Sequence, residues 1–503
     1  MHLSKKTHRY DVAVIGSGLG GLVSGLLLAK AGKKVCIIEK NNQLGGNLQT
    51  FSRDKKILDT GVHYIGGLEE GQNLYEYFKK LDILDDLEWE KMNPNHFDKI
   101  YFDESKIYYP QAQGYQSFID ELLKYFPDEK QAIETYIQTI QEYCNAFPMY
   151  DLDFESTYQS NYLESSVQEV LNAITTNEKL QSVWLGNSFL YALDYTTTPF
   201  YIHALTVNSY IQSSWRCIKG GSQLTKALLK QLRKYDVAIF KHQEVIGFEM
   251  QDKCIAACYT ETDCFYADEF ISNINLKTTF SYLPVDLQQK PSIQRIKQLK
   301  VTPSVFSVHF ILNEHHLPYF DYNIYHYDTY EDVRLNKWLN PLVITTNPSK
   351  PSQKYAETIT VMTYANIKDF ESWKDTFNTV NQPNTRSFTY EQYKDFWVKH
   401  IIDKMEKHFP NFREAIKSYY TSTPLTYRDY IGLEDGNMYG FQKQAHQSAL
   451  TQIFPRTKVN NLFLVGQNVR LHGILGVTIS AFHLAKEYLG TERFLDIIKT
   501  EHS

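Results

Sequence analysis

Residues 10–39 constrain the fold more than any other stretch of this chain. Tyr10 to Ile15, "YDVAVI", is a nearly unbroken apolar run of the kind that parallel sheets bury on both faces. "GSGLGG" follows directly, and a helical pattern then runs through Lys30 to a second apolar strand, "KVCIIEK". Gly16, Gly18 and Gly21 fit the spacing G-x-G-x-x-G, and each has a physical task. Gly16 permits the tight turn, Gly18 lets a pyrophosphate come against the backbone, and Gly21 lets helix and strand approach closely. The helix N-terminus adds unpaired N–H groups and a positive dipole end for phosphates. Glu39 closes the second strand, where a carboxylate accepts hydrogen bonds from a ribose diol. The glycine spacing alone is a weak signal. With strand, loop, helix, strand and acid in this order, it reads as a dinucleotide-binding Rossmann unit, with Ser17, Gly20 and Lys40 among the contacting residues.

Glu39 disfavours a ribose 2′-phosphate, so NADP is not expected at this site. Just past the ribose strand, Gly45-Gly46 forms a second glycine turn within "NNQLGGNLQTF". In flavoproteins of this architecture such a turn runs beneath the pyrophosphate and ribityl chain, which argues for FAD over NAD.

A chain of 503 residues is too long for one simple core, so two or more intertwined domains are expected. Its net charge of −6 argues against nucleic acid, which favours a concentrated basic surface. Six cysteines make no disulfide framework and point to a reducing compartment. Cys254, Cys258 and Cys264 cluster in alternating strand patterns and read as buried thiols, not as a metal site. "VAVIGSGLGGLVSGLLLAKA" mimics a secretory signal, down to Ala29-Lys30-Ala31. Asp11 sits badly in a basic leader, however, and the glycines fall at turn spacing. The expectation is a retained segment in a cytoplasmic protein with no membrane-spanning helix.

"EKNNQLGGNLQTF" followed by "LDTGVHYIGG" resembles the phytoene desaturase, carotenoid isomerase and retinol saturase group of FAD enzymes, most of all the saturase branch of all-trans-retinol 13,14-reductases. The pieces "YYPQAQGYQSFIDELLKYFP", "HALTVNSYI" with Gly220-Gly221, "TPLTYRDYIG", "GNMYGF" and "NNLFLVGQNVRLHGILGVTISA" keep the same order along nearly the whole chain. Amine oxidases share the first motif, but "DTGVHYIGG" and "GVTISA" look less like theirs. The resemblance implies a mixed α/β fold: a Rossmann-type FAD-binding domain of the glutathione-reductase and amine-oxidase kind, with an interleaved substrate domain.

The same resemblance implies roles for particular residues. Gly61 to Gly66 would lie against the flavin ring, with His63 and Tyr64 near the reacting double bond. For His63 the alternative is an imidazole satisfied by carbonyls in a turn. Val245 would contact adenine through its backbone. The strand Leu462–Val465 would end at Gly466, with loop residues through Gly476 and a helix from about Val477 aimed at the flavin N1–C2=O edge. Position 468 is usually Asp in this group and is Asn468 here, an amide that both donates and accepts. His472 would lie over the ring or face solvent. Tyr427, Arg428 and Tyr439 are further polar candidates, although a tyrosine stripe also suits a core.

The FAD-binding domain is expected from residues 8–75, 216–280 and 440–495, with a capped helix opening at Ser222, and the substrate domain from 76–215 and 281–439. The first substrate piece reads as largely helical; the second mixes strands ("SVFSVHFILN", "TITVMTYAN") with an amphipathic helix near Phe396–Phe409. His315-His316 reads as a loop feature.

The implied activity is reduction of one double bond in an apolar polyene or isoprenoid, with desaturation or cis–trans isomerisation as the alternative on the same cofactor. Rab escort and GDP-dissociation-inhibitor proteins resemble this fold and bind prenyl lipids without flavin chemistry, but they are expected to lack the cofactor motifs this chain keeps. No second dinucleotide fingerprint is present, so either NAD(P)H docks transiently as hydride donor or an external carrier serves. A lipophilic substrate also suggests peripheral membrane contact at the substrate-domain entrance. Substrate identity and oligomeric state stay open.

Overall fold

The computed structural model describes residues 5–156, 160–334, 341–380, 383–433 and 435–499. Two seven-stranded sheets organise it. In the first, the strand Lys6–Ile15 lies between Val35–Ile38 and Asp263–Ser272, parallel to both, with Ala238–Phe240 beyond Val35–Ile38. The long strand Asp263–Ser272 divides its other edge. Its first half pairs antiparallel with Cys254–Tyr259, while Phe270–Ser272 pair parallel with Leu462–Leu464. The fold is thus the mixed α/β, Rossmann-type arrangement anticipated from the glycine motif.

The apolar runs are continuous because both faces of this sheet are covered. The helix Leu19–Lys30 is buried from Leu19 to Ala29 and packs against Ser222–Lys234 and Gly473–Leu489. Fully buried Leu22, Leu26 and Leu27 each contribute about 1.5–3 kcal/mol relative to exposure. Glycine is required at position 21, where a Cβ would lie 2.2 Å from the Gly16 carbonyl oxygen.

The second sheet runs in the order Ile416–Ser422, Ser304–Leu312, Thr358–Ala365, Leu342–Thr345, Asn323–Tyr327, Asp98–Phe102, Ile107–Gln111. Its faces alternate as a strand period of two demands. Phe306, Val308, Ile324, Ile344 and Val361 join a core with Val398, Ile401 and Met405 of the helix Phe388–Met405. Their neighbours Val305, Tyr325, Val343 and Met362 turn to the opposite core, shared with the first sheet's helices.

Three features differ from the sequence reading: an added hairpin, one helix start and one helix cap. Residues 76–215 do supply helices, among them Lys130–Asn145 and Phe200–Gln212, but also the hairpin Asp98–Phe102 and Ile107–Gln111. Aromatic β-formers drive that hairpin, and Pro110 is tolerated because its strand is the sheet edge. The helix expected at Val477 begins at Gly473, whose φ of 73° only glycine adopts easily, so Gly476 and Val477 are inside its first turns. The helix Ser222–Lys234 has Gly221 at its N-cap and no side-chain cap. Among the described residues, no helix is long and apolar enough to cross a membrane.

Candidate active site

A cavity of about 540 Å³ runs between the two sheets. At one end the two glycine turns meet. Gly18 bridges to Gly45, and a Cβ on Gly46 would lie 3.2 Å from Gly18 Cα. Gly45 has φ 110° and donates its N–H to Ser17 O at 3.1 Å. No side chain caps the helix that starts at Leu19, which leaves first-turn N–H groups for a phosphate.

Glu39 is buried beside this loop. Its Oε2 accepts from the Ser17 backbone N–H and hydroxyl, and its Oε1 from Asn41 N–H at 2.9 Å. Oε1 therefore keeps a lone pair for a ribose hydroxyl. Lys40 and Val245 also line this end, and the Val245 carbonyl accepts from Tyr282 Oη at 2.7 Å.

Farther along, Gly466, Asn468, Gly61 and Val477 line the cavity, whereas Gly21 and Gly476 stand behind its wall. Asn468 Oδ1 accepts from Phe441 N–H at 3.0 Å, so its amide Nδ2 is the group offered to a ligand. The Gly61–Gly66 segment is pinned by Ile65–Gly66 pairing with Ser214–Cys217. A Cβ at Gly66 would strike Ser209 at 2.4 Å, so glycine is needed there.

The other end of the cavity is an apolar wall of Phe189, Leu190, Val305, Val343 and Met362, interrupted by phenols and His63. Burial, with the charge of Arg216, lowers His63 to about 4, and its Nδ1 has no hydrogen-bond partner. Tyr64 Oη contacts Asp98 Oδ2 and Tyr325 Oη at 2.8 and 2.7 Å. Tyr427 Oη reaches Ser307 Oγ at 3.2 Å, and Tyr439 donates to Phe189 O at 3.1 Å. His472 is neither on the main cavity nor free in solvent: it packs 4.5 Å from the Tyr439 ring, with Nε2 3.3 Å from Leu190 O. Arg428 lines the nucleotide end, its guanidinium held by Asp429 and the carbonyls of Lys374 and Thr376.

Four residues here escaped the sequence reading. Asn273 fills the notch between the glycine loop and Gly466, its side chain lying 2.7 Å from where a Cβ on Gly18 or Gly20 would sit. Asp98, Asn323 and Tyr325 form a polar cluster on the second sheet. The parallel register sets Asp98 beside Asn323, whose Nδ2 donates to Asp98 Oδ1 at 2.9 Å, and Tyr325 follows on the same face two residues later. The one available signal was the Asp that opens the strand "DKIYF".

A family model described as flavin containing amine oxidoreductase matches residues 19–485. The chain belongs to that family. It is an FAD-dependent oxidoreductase. Within the family's reach, it is 27% identical to the all-trans-retinol 13,14-reductase of Danio rerio, across 94% of this chain and 84% of that one. It is 24% identical to the chloroplastic prolycopene isomerase 1 of an Oncidium hybrid, across 97% and 86%. These relatives are of the saturase and isomerase kinds that the motifs resemble. A crystal structure of an oxidoreductase from Methanosarcina mazei shares the fold, with a TM-score of 0.63 at 15% identity over 93% of this chain and 98% of that one. The two touching glycine turns, the uncapped helix and the part-filled Glu39 carboxylate suit the family's flavin dinucleotide.

Proposed function

We propose that this chain reduces one carbon–carbon double bond of a long apolar polyene or isoprenoid. The observation that carries this reading is the continuity of one cavity, from glycine turns suited to a pyrophosphate to an apolar wall interrupted by phenols. Among the described residues, the carboxylates lining the cavity are Glu39 and Glu244, both at the nucleotide end. The far end therefore suits an uncharged hydrocarbon. The 27% identity with a retinol 13,14-reductase supports the same direction of chemistry.

In this reading Gly16, Ser17, Gly18, Gly20, Gly45 and Gly46 hold the pyrophosphate, with Gly21 keeping the helix close behind them. Glu39 and Lys40 take the adenosine ribose, Val245 meets adenine, and Asn468 donates to the ribityl chain. Gly61, His63, Gly466 and Val477 border the ring, and Gly476 lets the helix from Gly473 pack against Leu471. When bound, FAD supplies two-electron hydride exchange. His63 stays neutral and shapes the wall, while the phenols of Tyr64, Tyr427 and Tyr439 line the substrate end. The apolar wall excludes water and orients the chain of the polyene.

The electron source is NAD(P)H docking transiently or an external carrier, distinguished by anaerobic titration with NADPH and NADH. Substrate delivery from a bilayer to a cytoplasmic protein with peripheral membrane contact is part of this proposal, and liposome flotation tests it.

Reduced protein incubated with retinol or a carotenoid should yield a product heavier by two hydrogens. Absence of any such product across several polyenes counts against the reading. The 24% identity with a prolycopene isomerase favours one other outcome, isomerisation, which would leave the product mass unchanged.

A further inference from the structure

Adding hydrogen across a double bond needs a hydride and a proton, and burial of the substrate end requires the protein to deliver that proton itself. Asp98 is fully buried in the second sheet, yet among the described residues no cation hydrogen-bonds its carboxyl. Oδ1 accepts from Asn323 Nδ2 and Oδ2 accepts from Tyr64 Oη at 2.8 Å, a bond that reverses once Oδ2 carries a proton. Tyr64 Oη in turn lies 2.7 Å from Tyr325 Oη, and both phenols line the cavity.

From this chain of contacts we infer that Asp98, Tyr64 and Tyr325 form a proton relay to the substrate carbon. The inference rests on the double-bond reduction proposed above. A phenol has one hydrogen, so direction follows from occupancy. With Asp98 protonated, Oδ2–H donates to Tyr64, Tyr64 donates to Tyr325, and the Tyr325 O–H is the one left for the cavity. In the step, the π pair of the double bond forms the new C–H bond with the Tyr325 proton. Tyr325 takes the Tyr64 proton, Tyr64 takes the Asp98 proton, and Asp98 is left a carboxylate. The second hydrogen and two electrons come from reduced FAD, and solvent later restores the Asp98 proton. Tyr325 is the catalytic donor; Asp98 acts through the phenols.

The surroundings support a carboxyl that holds a proton near neutrality. Burial raises Asp98 to about 7 against the lowering effects of Asn323, Tyr64, Asn187 and Arg216. Arg216, on the strand Ser214–Cys217, spends its guanidinium on the carbonyls of Phe320 and Tyr322 at 2.6 Å and on Asn323 Oδ1 at 2.9 Å. Among the described residues, the other titratable groups facing Asp98 are phenols: Tyr64, Tyr325, Tyr327, and Tyr210 on the helix Phe200–Gln212.

The test uses the holoenzyme, reduced anaerobically and mixed with retinol or a carotenoid in single turnover. D98N preserves shape and the Asn323 contact but has no acid proton to pass. We expect its rate of double-bond reduction to fall about 10²-fold or more with substrate affinity retained, and Y325F to fall similarly. Wild-type rate should decline as pH rises through about 7, and D98N should lose that limb. Independently of turnover, infrared difference spectra should show a protonated carboxyl titrating near pH 7 in wild type and missing in D98N. Wild-type rates and pH profiles in both variants, or no such carboxyl, overturn the relay alone. A wild-type protein that reduces no polyene overturns the reduction reading and the relay together.

Discussion

Ser17 gives both its backbone N–H, at 2.9 Å, and its hydroxyl, at 2.7 Å, to one oxygen of Glu39. The turn that would meet a pyrophosphate and the acid that would meet a ribose are tied directly to each other. Glu39→Gln puts an amide NH₂ where either Ser17 or Asn41 already donates. The lost charge-assisted bond is worth about 1.5–3 kcal/mol. FAD affinity should therefore fall tenfold or more, read from flavin fluorescence on titration.

Gly45 sits at φ 110°, and a Cβ there would lie 2.3 Å from Thr225 Oγ1. Gly45→Ala should cost about 1–3 kcal/mol in backbone strain alone and displace the turn from Gly18. The expected result is a lower Tm and a lower flavin-to-protein ratio. Gly32→Ala shares a positive φ of 83° but meets nothing within 4 Å, so it should destabilise without altering flavin content.

Asn468 accepts from Phe441 N–H and keeps its Nδ2 for a ligand. Asn468→Asp preserves the acceptor, removes the donor and adds a negative charge where the proposed ribityl contact would lie. Reduction of a flavin adds negative charge, so the variant's reduction potential should shift to more negative values. Potentiometric titration against a reference dye checks the sign.

His63 is lowered to about 4 by burial and by Arg216, so its imidazole is neutral above about pH 5. His63→Gln should leave the pH profile between 6 and 8 unchanged while altering KM. An acid limb that disappears in the variant would mean that His63 titrates in turnover.

Asp59 accepts from Gly221 N–H at 2.7 Å and from Asn347, and burial raises it from 3.8 to about 7. The native state then binds more protons than the unfolded chain between about pH 4 and 7. The stability this contributes is fully present below about pH 4 and lost as pH rises through about 7, at up to about 1.4 kcal/mol per pH unit. Asp59→Asn should remove that slope, seen as the difference between wild-type and variant denaturant midpoints across pH 4–8.

Much of the glycine-turn end of the cavity was legible from local pattern. Glycine spacing, flanking apolar runs and Glu39 all act within one supersecondary unit, where chain geometry dictates what touches what. The start of the helix Gly473–Leu489 differs from the sequence expectation because Gly473 and Gly476 read as loop residues. In the fold, Gly473 opens the helix in a left-handed conformation and burial against Leu19–Lys30 holds it. The Asp98 hairpin escapes local pattern for a related reason: two charged residues, Asp98 and Lys99, open a short strand whose partner, Asn323–Tyr327, lies far away in sequence.

The sequence by itself determined the Rossmann unit, the second glycine turn and the family resemblance, because each rests on residues a few positions apart whose conformations constrain one another. Only the tertiary structure decided which polar groups meet at the substrate end. Tyr64 is separated from Asp98 by 34 positions and from Tyr325 by 261, and their contact depends on a parallel strand register and on the turn held by Gly66. The upward shift of the Asp98 carboxyl is likewise a consequence of its burial, which no local pattern of residues encodes.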